Sequence, residues 1–250
     1  MIRKNIKKIK KIFLGEYSTD VAFRYLPVKD LIKKFKMSTD KILEVGSGDD
    51  GITTYYKIPI VGLDLAFSQN KNNSLVKRVL YDGSPFPFSD DKFNLTLSVD
   101  CLEHIKPDQR KIAIKEIVRV TDRDLVLVFP TGEKSFQSDK KLAKYFKKIN
   151  GWQDHFFTEH LENGLPDVSD IKKALAEAAF FCQKDIAFQE EKKMLNLKLR
   201  ENYMRYKISK NILLNILYYS CLILLPLRNY LNFGDCYRTL LYVRINKKHV

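Results

Sequence analysis

Short apolar runs, each closed by turn-forming residues, dominate the first half of the chain. Lys41–Val45 reads as a buried strand stopped by Gly46-Ser47-Gly48, and Ile58–Leu63 as a second ended by Asp64. Lys77–Tyr81 is a third, ended by Asp82-Gly83. Phe93–Val99 is a fourth, ended by Asp100, and Asp124–Phe129 a fifth, stopped by Pro130. Between the last two, residues 107–120 begin with Pro and space Ile112, Ile114, Ile117 and Val118 as one face of a helix. Strands apolar on both faces, alternating with helix-length connections, predict an α/β fold around a mostly parallel sheet covered on both sides. The connections at 50–57 and 65–76 are short, leaving room for little more than a helical turn in one of them.

Further along, 131–168 lacks sheet character. Ser169–Phe180 reads as a helix with Ser169 at its N-cap, and Asp185–Gln189 and Tyr237–Ile245 as strands. Between those strands lie a basic stretch, 192–210, and an uncharged run, Asn211–Leu227. That run is at the short edge for a membrane span, which needs about 20 residues. It reads as a helix or helical hairpin that caps the substrate side or rests in a membrane interface. Before the first strand, Val28–Phe35 predicts a helix. Residues 1–14 place Ile2, Ile6, Ile9 and Phe13 at helical spacing among Lys and Arg, which makes a basic amphipathic helix. The chain reads as one domain: basic helices at 1–36, a core at 40–130, and insertions at 131–168 and 191–232.

Apolar residues make up 45% of the 250, enough for a core of ordinary size. The formal net charge of +14 points to a polyanionic partner, an anionic membrane surface or an acidic substrate, without choosing among them. Cys101, Cys182, Cys221 and Cys236 form no C-x-x-C pair, which predicts reduced thiols in a cytoplasmic protein, peripheral on the membrane if the two basic and apolar segments act together. The N-terminus lacks the long apolar core of a signal peptide.

Gly46-Ser47-Gly48-Asp49-Asp50-Gly51 matches G-x-G-x-x-G directly after a strand. Alone this fits a dinucleotide as well as S-adenosylmethionine, because Asp64 at the end of the second strand can take a ribose hydroxyl pair in either case. Three features favour S-adenosylmethionine. Glu44, two residues before Gly46, would face a cationic amino-acid cofactor and repel a pyrophosphate. Asp82 can bond an adenine amino group. The chain is also short for an attached dehydrogenase domain.

The segments ILEVGSGDDG, VGLDL, YDGSPFPFSDDKFN and LSVDCLEHI resemble, in order and spacing, the successive motifs of class I S-adenosylmethionine-dependent methyltransferases. The nearest likeness is to the small-molecule branch that includes the quinone-biosynthesis enzymes. The resemblance implies a doubly wound, Rossmann-like, seven-stranded, mostly parallel sheet with one antiparallel strand and helical insertions, Tyr237–Ile245 being the candidate antiparallel strand. It also implies that Glu44, Gly46, Ser47 and Gly48 line the methionine end of the cofactor. Asp64 and Leu65 would hold the ribose, Asp82 and Gly83 the adenine, and Asp100 would sit under the amino-acid part or the substrate.

Methyl transfer to a hydroxyl needs a base. The candidates are His104, His155, Glu159 and His160, the last three in the polar-aromatic cluster 154–160. No H-E-x-x-H is present, so no metal site is expected. The expected substrate is a small molecule or glycan, possibly lipid-linked, with methylation at oxygen. No nucleic-acid module is visible, and Asp100-Cys101-Leu102-Glu103 is unlike the motif of base-amino methyltransferases. The alternatives are an NAD-binding oxidoreductase module and a cofactor-binding partner subunit without catalysis.

Overall fold

The computed structural model describes residues 18–81, 83 and 85–248. The expected helix at 1–14 and Asp82 lie outside them. Seven strands form one sheet: β1 (Ile42–Val45), β2 (Ile60–Asp64), β3 (Val76–Leu80), β4 (Phe93–Val99), β5 (Thr121–Pro130), β6 (Lys184–Asn196) and β7 (Cys236–Lys247). Their order is β3-β2-β1-β4-β5-β7-β6. The pairings among β1–β5 are parallel, and β7 runs antiparallel to both β5 and β6. The seven-stranded, singly antiparallel sheet is therefore as expected.

Most boundaries fall within a residue or two of the sequence reading, but β6 is much longer than 185–189. Glu190, Glu191, Lys192 and Lys193 hide its continuation. They stay paired to β7 past a register break between Phe188 and Glu190. As an edge strand β6 needs no apolar outer face, and its charges discourage pairing with another chain.

Helices cover both faces of the sheet. On one face α2 (Pro107–Val120) and α5 (Val168–Phe181) bury Ile114, Ile117, Ile171 and Leu175 against β4 and β5. Asp167, not Ser169, caps α5, its carboxylate accepting the Ser169 N–H at 2.8 Å. On the other face lies α1 (Thr19–Lys34), with Tyr25, Val28, Leu31 and Ile32 packed on β1, β4 and β5. The reading from Val28 missed its first nine residues because Pro27 lies inside the helix. Proline removes one backbone donor, and the buried face of α1 holds the helix together across it. The connection after β1 is a single 3-10 turn, Gly51–Thr54, and that after β2 carries no helix. Helix α1 covers the surface those crossovers leave bare.

The segment 131–168 folds into α3 (Glu133–Asn150) and α4 (His155–Asn163). After β6 come α6 (Leu197–Ile208), α7 (Ile212–Ser220) and a 3-10 stretch, Cys221–Leu231.

Two buried ionisable groups lock these layers. Lys184, at the start of β6, donates to the carbonyls of Val118 (2.8 Å), Arg119 (2.9 Å) and Thr121 (2.7 Å), a cation at the C-terminus of α2. Glu44, on β1, joins α1 to the glycine loop. It accepts from Tyr25 Oη at 2.7 Å and from Ile52 N at 2.8 Å. The expectation that Glu44 faces the cofactor is corrected here. The carboxylate is completely buried behind the loop and is absent from the cavity wall described below, because both oxygens are engaged by structure. Burial pushes its carboxyl up from 4.5 to about 7, against the two hydrogen bonds, with Asp64 adding to the rise.

Replacing Lys184 with Met leaves three carbonyls without a donor. Urea denaturation should read a loss of about 3 kcal/mol. For Glu44, the folded protein keeps a proton that the unfolded chain releases between pH 4.5 and about 7. Stability attributable to this group is therefore full below pH 4.5 and declines as pH rises through 7, by an amount on the order of 3 kcal/mol. A Glu44→Gln variant keeps an acceptor for Ile52. Thermal melts from pH 4.5 to 8 should show a flatter profile for it, with the gain over the parent largest at pH 8.

Candidate functional site

The glycine loop follows from one close approach and one open position. Gly51 (φ +49°) lies against Glu44, where an added Cβ would sit 2.2 Å from Oε2. Gly48 (φ +53°) has nothing within 4 Å of where a Cβ would be. The left-handed conformation suits glycine, and the space beside it is open for a ligand. Its N–H donates to Asp64 Oδ2 at 2.7 Å, tying the loop to the end of β2.

Beside the loop is a cavity of about 1010 Å³. It lies beyond the carboxyl ends of β1, β2 and β4, where ligands bind in open α/β sheets. Gly46, Ser47, Gly48, Asp64, Leu65 and Asp100, the expected cofactor contacts, all stand on its wall. Gly83 does not. It is exposed on the connection after β3, and Tyr81 and Phe86 of that connection line the cavity instead. Cys101 is also on the wall, and burial, with the nearby Glu103, pushes its thiol up to about 12, so it offers no thiolate.

The floor is a buried ionic network that sequence reasoning missed. Asp100 follows β4 with φ +49° and is gripped by Arg238 of β7, whose Nε lies 2.8 Å from Oδ1 and Nη2 2.5 Å from Oδ2. Arg24 of α1 reaches Asp100 at 3.3 Å and Asp20 at 2.7 Å. Tyr203 of α6 donates to Asp20 at 3.0 Å. Burial works against charge on both aspartates, yet Arg238 and Arg24 hold Asp100, and Arg24, Lys207 and Arg238 hold Asp20, below the usual carboxylate range. Arg24 Nε and Arg238 Nη1 are buried without a hydrogen-bond partner. Arg24, Arg238, Arg200 and Lys207 come from α1, β7 and α6, with no local motif to announce them.

At the opposite wall the structure gathers the expected histidines into one place. Leu102–His104 is a 3-10 turn after β4, and α4, N-capped by Asp154, packs beside it. His104 Nδ1 lies 2.7 Å from Glu159 Oε2, and His155 Nε2 lies 3.1 Å from Glu159 Oε1. His160 Nδ1 lies 2.8 Å from Asp139 Oδ2. Asp139 is itself held by Arg200 at 2.5 Å and Tyr237 at 2.7 Å. Burial, joined by the neighbouring His160, lowers the His104 pKa, which favours a neutral imidazole. His155 is 79% exposed at the side chain and sits at the rim, whereas His160 is only 7% exposed. Glu103, given no role by the sequence reading, is 1% exposed and on the wall. Burial, then the charge of Asp100, raises its carboxyl well above the ordinary range.

Residues 43–129 match the family model of a methyltransferase domain. No curated protein matches the chain in sequence. Among solved structures, one from the conversion of a disulfide bond into a thioacetal group during echinomycin biosynthesis superposes with a TM-score of 0.54 at 11% identity, over 97% of this chain and 94% of that one. The YcgJ protein of Bacillus subtilis gives 0.52 at 13% identity, over 89% and 98%. A chain from the complex of the Haloferax volcanii Trm112 methyltransferase activator with a methyltransferase gives 0.51 at 13% identity, over 85% and 84%. At these identities the likeness is one of fold. Strand order, glycine loop and the family match over β1–β5 agree that residues 43–129 carry the cofactor-binding domain of a class I S-adenosylmethionine-dependent methyltransferase.

Proposed function

We propose that the chain methylates an oxygen of a small-molecule or glycan acceptor carried on an apolar tail, at the cytoplasmic face of a membrane. The observation that carries this reading is the continuity of the cavity with an apolar arm. Met204, Lys207 and Ile208 of α6 line the cavity, and the chain passes from them directly into α7. Within 212–231, a segment long and apolar enough to cross a membrane by length and composition, only 6% is buried. Ile223 and Tyr230 are each 80% exposed. Arg228 pairs with Asp30, and Leu222 and Leu225 pack on the α1 side, so the arm lies along the domain. Such an exposed apolar strip on a chain of net charge +14 suits the interface of an anionic bilayer.

The cavity volume is at the upper end of the roughly 300–1,000 Å³ usual for a ligand site, which leaves space for cofactor and acceptor together. Gly48 gives the cofactor close approach to the backbone. The Arg24 and Arg238 guanidinium groups on the cavity wall suit its carboxylate. Bound S-adenosylmethionine supplies an activated methyl group. As that methyl group passed to the acceptor oxygen, with sulfur keeping the bonding pair, the hydroxyl proton would leave to the Glu103-His104-His160 wall. Much of the rate comes from holding acceptor and methyl in line.

Incubating the protein with methyl-labelled cofactor and membrane extract should place the label in a lipid-soluble product. Label confined to water-soluble products would overturn the lipid-tailed acceptor. His104→Ala should lower kcat by about 10²–10⁴ while calorimetry with S-adenosylhomocysteine reads unchanged cofactor affinity. The protein should sediment with anionic liposomes at low salt, and Ile223→Asp with Leu227→Asp should leave it in the supernatant.

A further inference from the structure

Glu103, His104 and His160 bring ligand atoms within 4.8 Å of one another on the cavity wall. Each imidazole offers its Nδ1 to a carboxylate, His104 to Glu159 and His160 to Asp139. A carboxylate accepts, so both Nδ1 atoms carry the proton and both Nε2 atoms present a lone pair. His160 Nε2 and Glu103 Oε2 are buried with no hydrogen-bond partner. Buried acceptors left unpaired are costly, and a site that keeps several of them together calls for an explanation. Asp100 and Asp20 already match Arg238 and Arg24, and Glu103 has no ion pair among the described residues. Imidazoles backed by carboxylates are the usual outer arrangement around metal-binding histidines.

We propose that Glu103, His104 and His160 bind one divalent transition-metal cation, as a two-imidazole, one-carboxylate set with its remaining positions open to the cavity. Imidazole donors favour zinc, copper, nickel or iron over magnesium, calcium and manganese, and cobalt reports on the same kind of site. A cation bonded at about 2.1 Å to each nitrogen draws the three donors inward. A sequence search for ligand pairs passes over the set because His160 comes from α4, far along the chain from the turn carrying Glu103 and His104. Its chemical role rests on the oxygen-transfer reading: a hydroxyl bound to such a cation has a lowered pKa, and with the cation in place its proton leaves to water in the cavity rather than to the ligating side chains. Metal binding itself does not depend on that reading.

Chelator-treated protein titrated with cobalt(II) should develop visible d–d absorption that saturates at one equivalent. Glu103→Gln, a near-isosteric change, should weaken binding at least tenfold, and His160→Asn should abolish the spectrum. Glu159→Gln, which removes the partner of His104, should weaken binding about 10–100-fold. His155→Ala should leave the spectrum unchanged. No cobalt spectrum in the parent, undiminished binding in Glu103→Gln, or loss through His155→Ala alone would each overturn the site. The same samples titrated with S-adenosylhomocysteine separate the two claims. Methyl transfer that runs undiminished in chelated protein removes the cation's role and leaves the transferase reading intact. Cobalt bound without transfer to any oxygen acceptor leaves the site and removes that reading.

Discussion

The buried pairing of Asp100 with Arg238 and Arg24 is the constraint around which the cavity is built. It joins the end of β4, the start of β7 and the first turns of α1, three elements that no local sequence pattern brings together. Taking these charges out of water is expensive, and a buried pair is stable only when its geometry and additional hydrogen bonds are good. Here Asp20 supplies a second acceptor and Tyr203 a further donor, so the network is closed on three sides. Its fourth side is the cavity. Arg24 and Arg238 both line it, so the guanidinium groups of the network are those nearest a ligand.

The shortened crossovers explain why α1 matters. With one 3-10 turn after β1 and no helix after β2, a face of the sheet would be wet. Helix α1 closes it with apolar side chains and, through Tyr25 on Glu44, also steadies the glycine loop from behind. One element thus serves the core, the loop and, through Arg24 and Asp20, the floor of the site. The opposite wall is assembled by the same economy. Glu159 is shared by His104 and His155, and Asp139 by His160, Arg200 and Tyr237. These shared carboxylates set the orientation of the rings and so decide which nitrogens face the cavity.

Much of this was legible in the chain. The apolar runs located each of the seven strands. The glycine loop and the strand-end residues Asp64 and Asp100 marked the cavity because their roles depend on position along a strand, which sequence order carries. Glu44 was legible as a residue but not in its role, since facing the ligand or backing the loop differ only in direction across the sheet. The long reach of β6 was hidden because an edge strand tolerates charges that a central strand excludes.

By itself the sequence determined the sheet and its ligand-binding end, because hydrophobic periodicity and turn chemistry are local, and the class of cofactor came from the resemblance of its ordered motifs to a methyltransferase domain. Only the tertiary structure decided what surrounds the cavity. Arg24, Arg200 and Arg238 meet there from α1, α6 and β7, and His160 joins Glu103 and His104 from α4. Such a constellation depends on packing between elements distant in the chain, and nothing in the spacing of those residues encodes it.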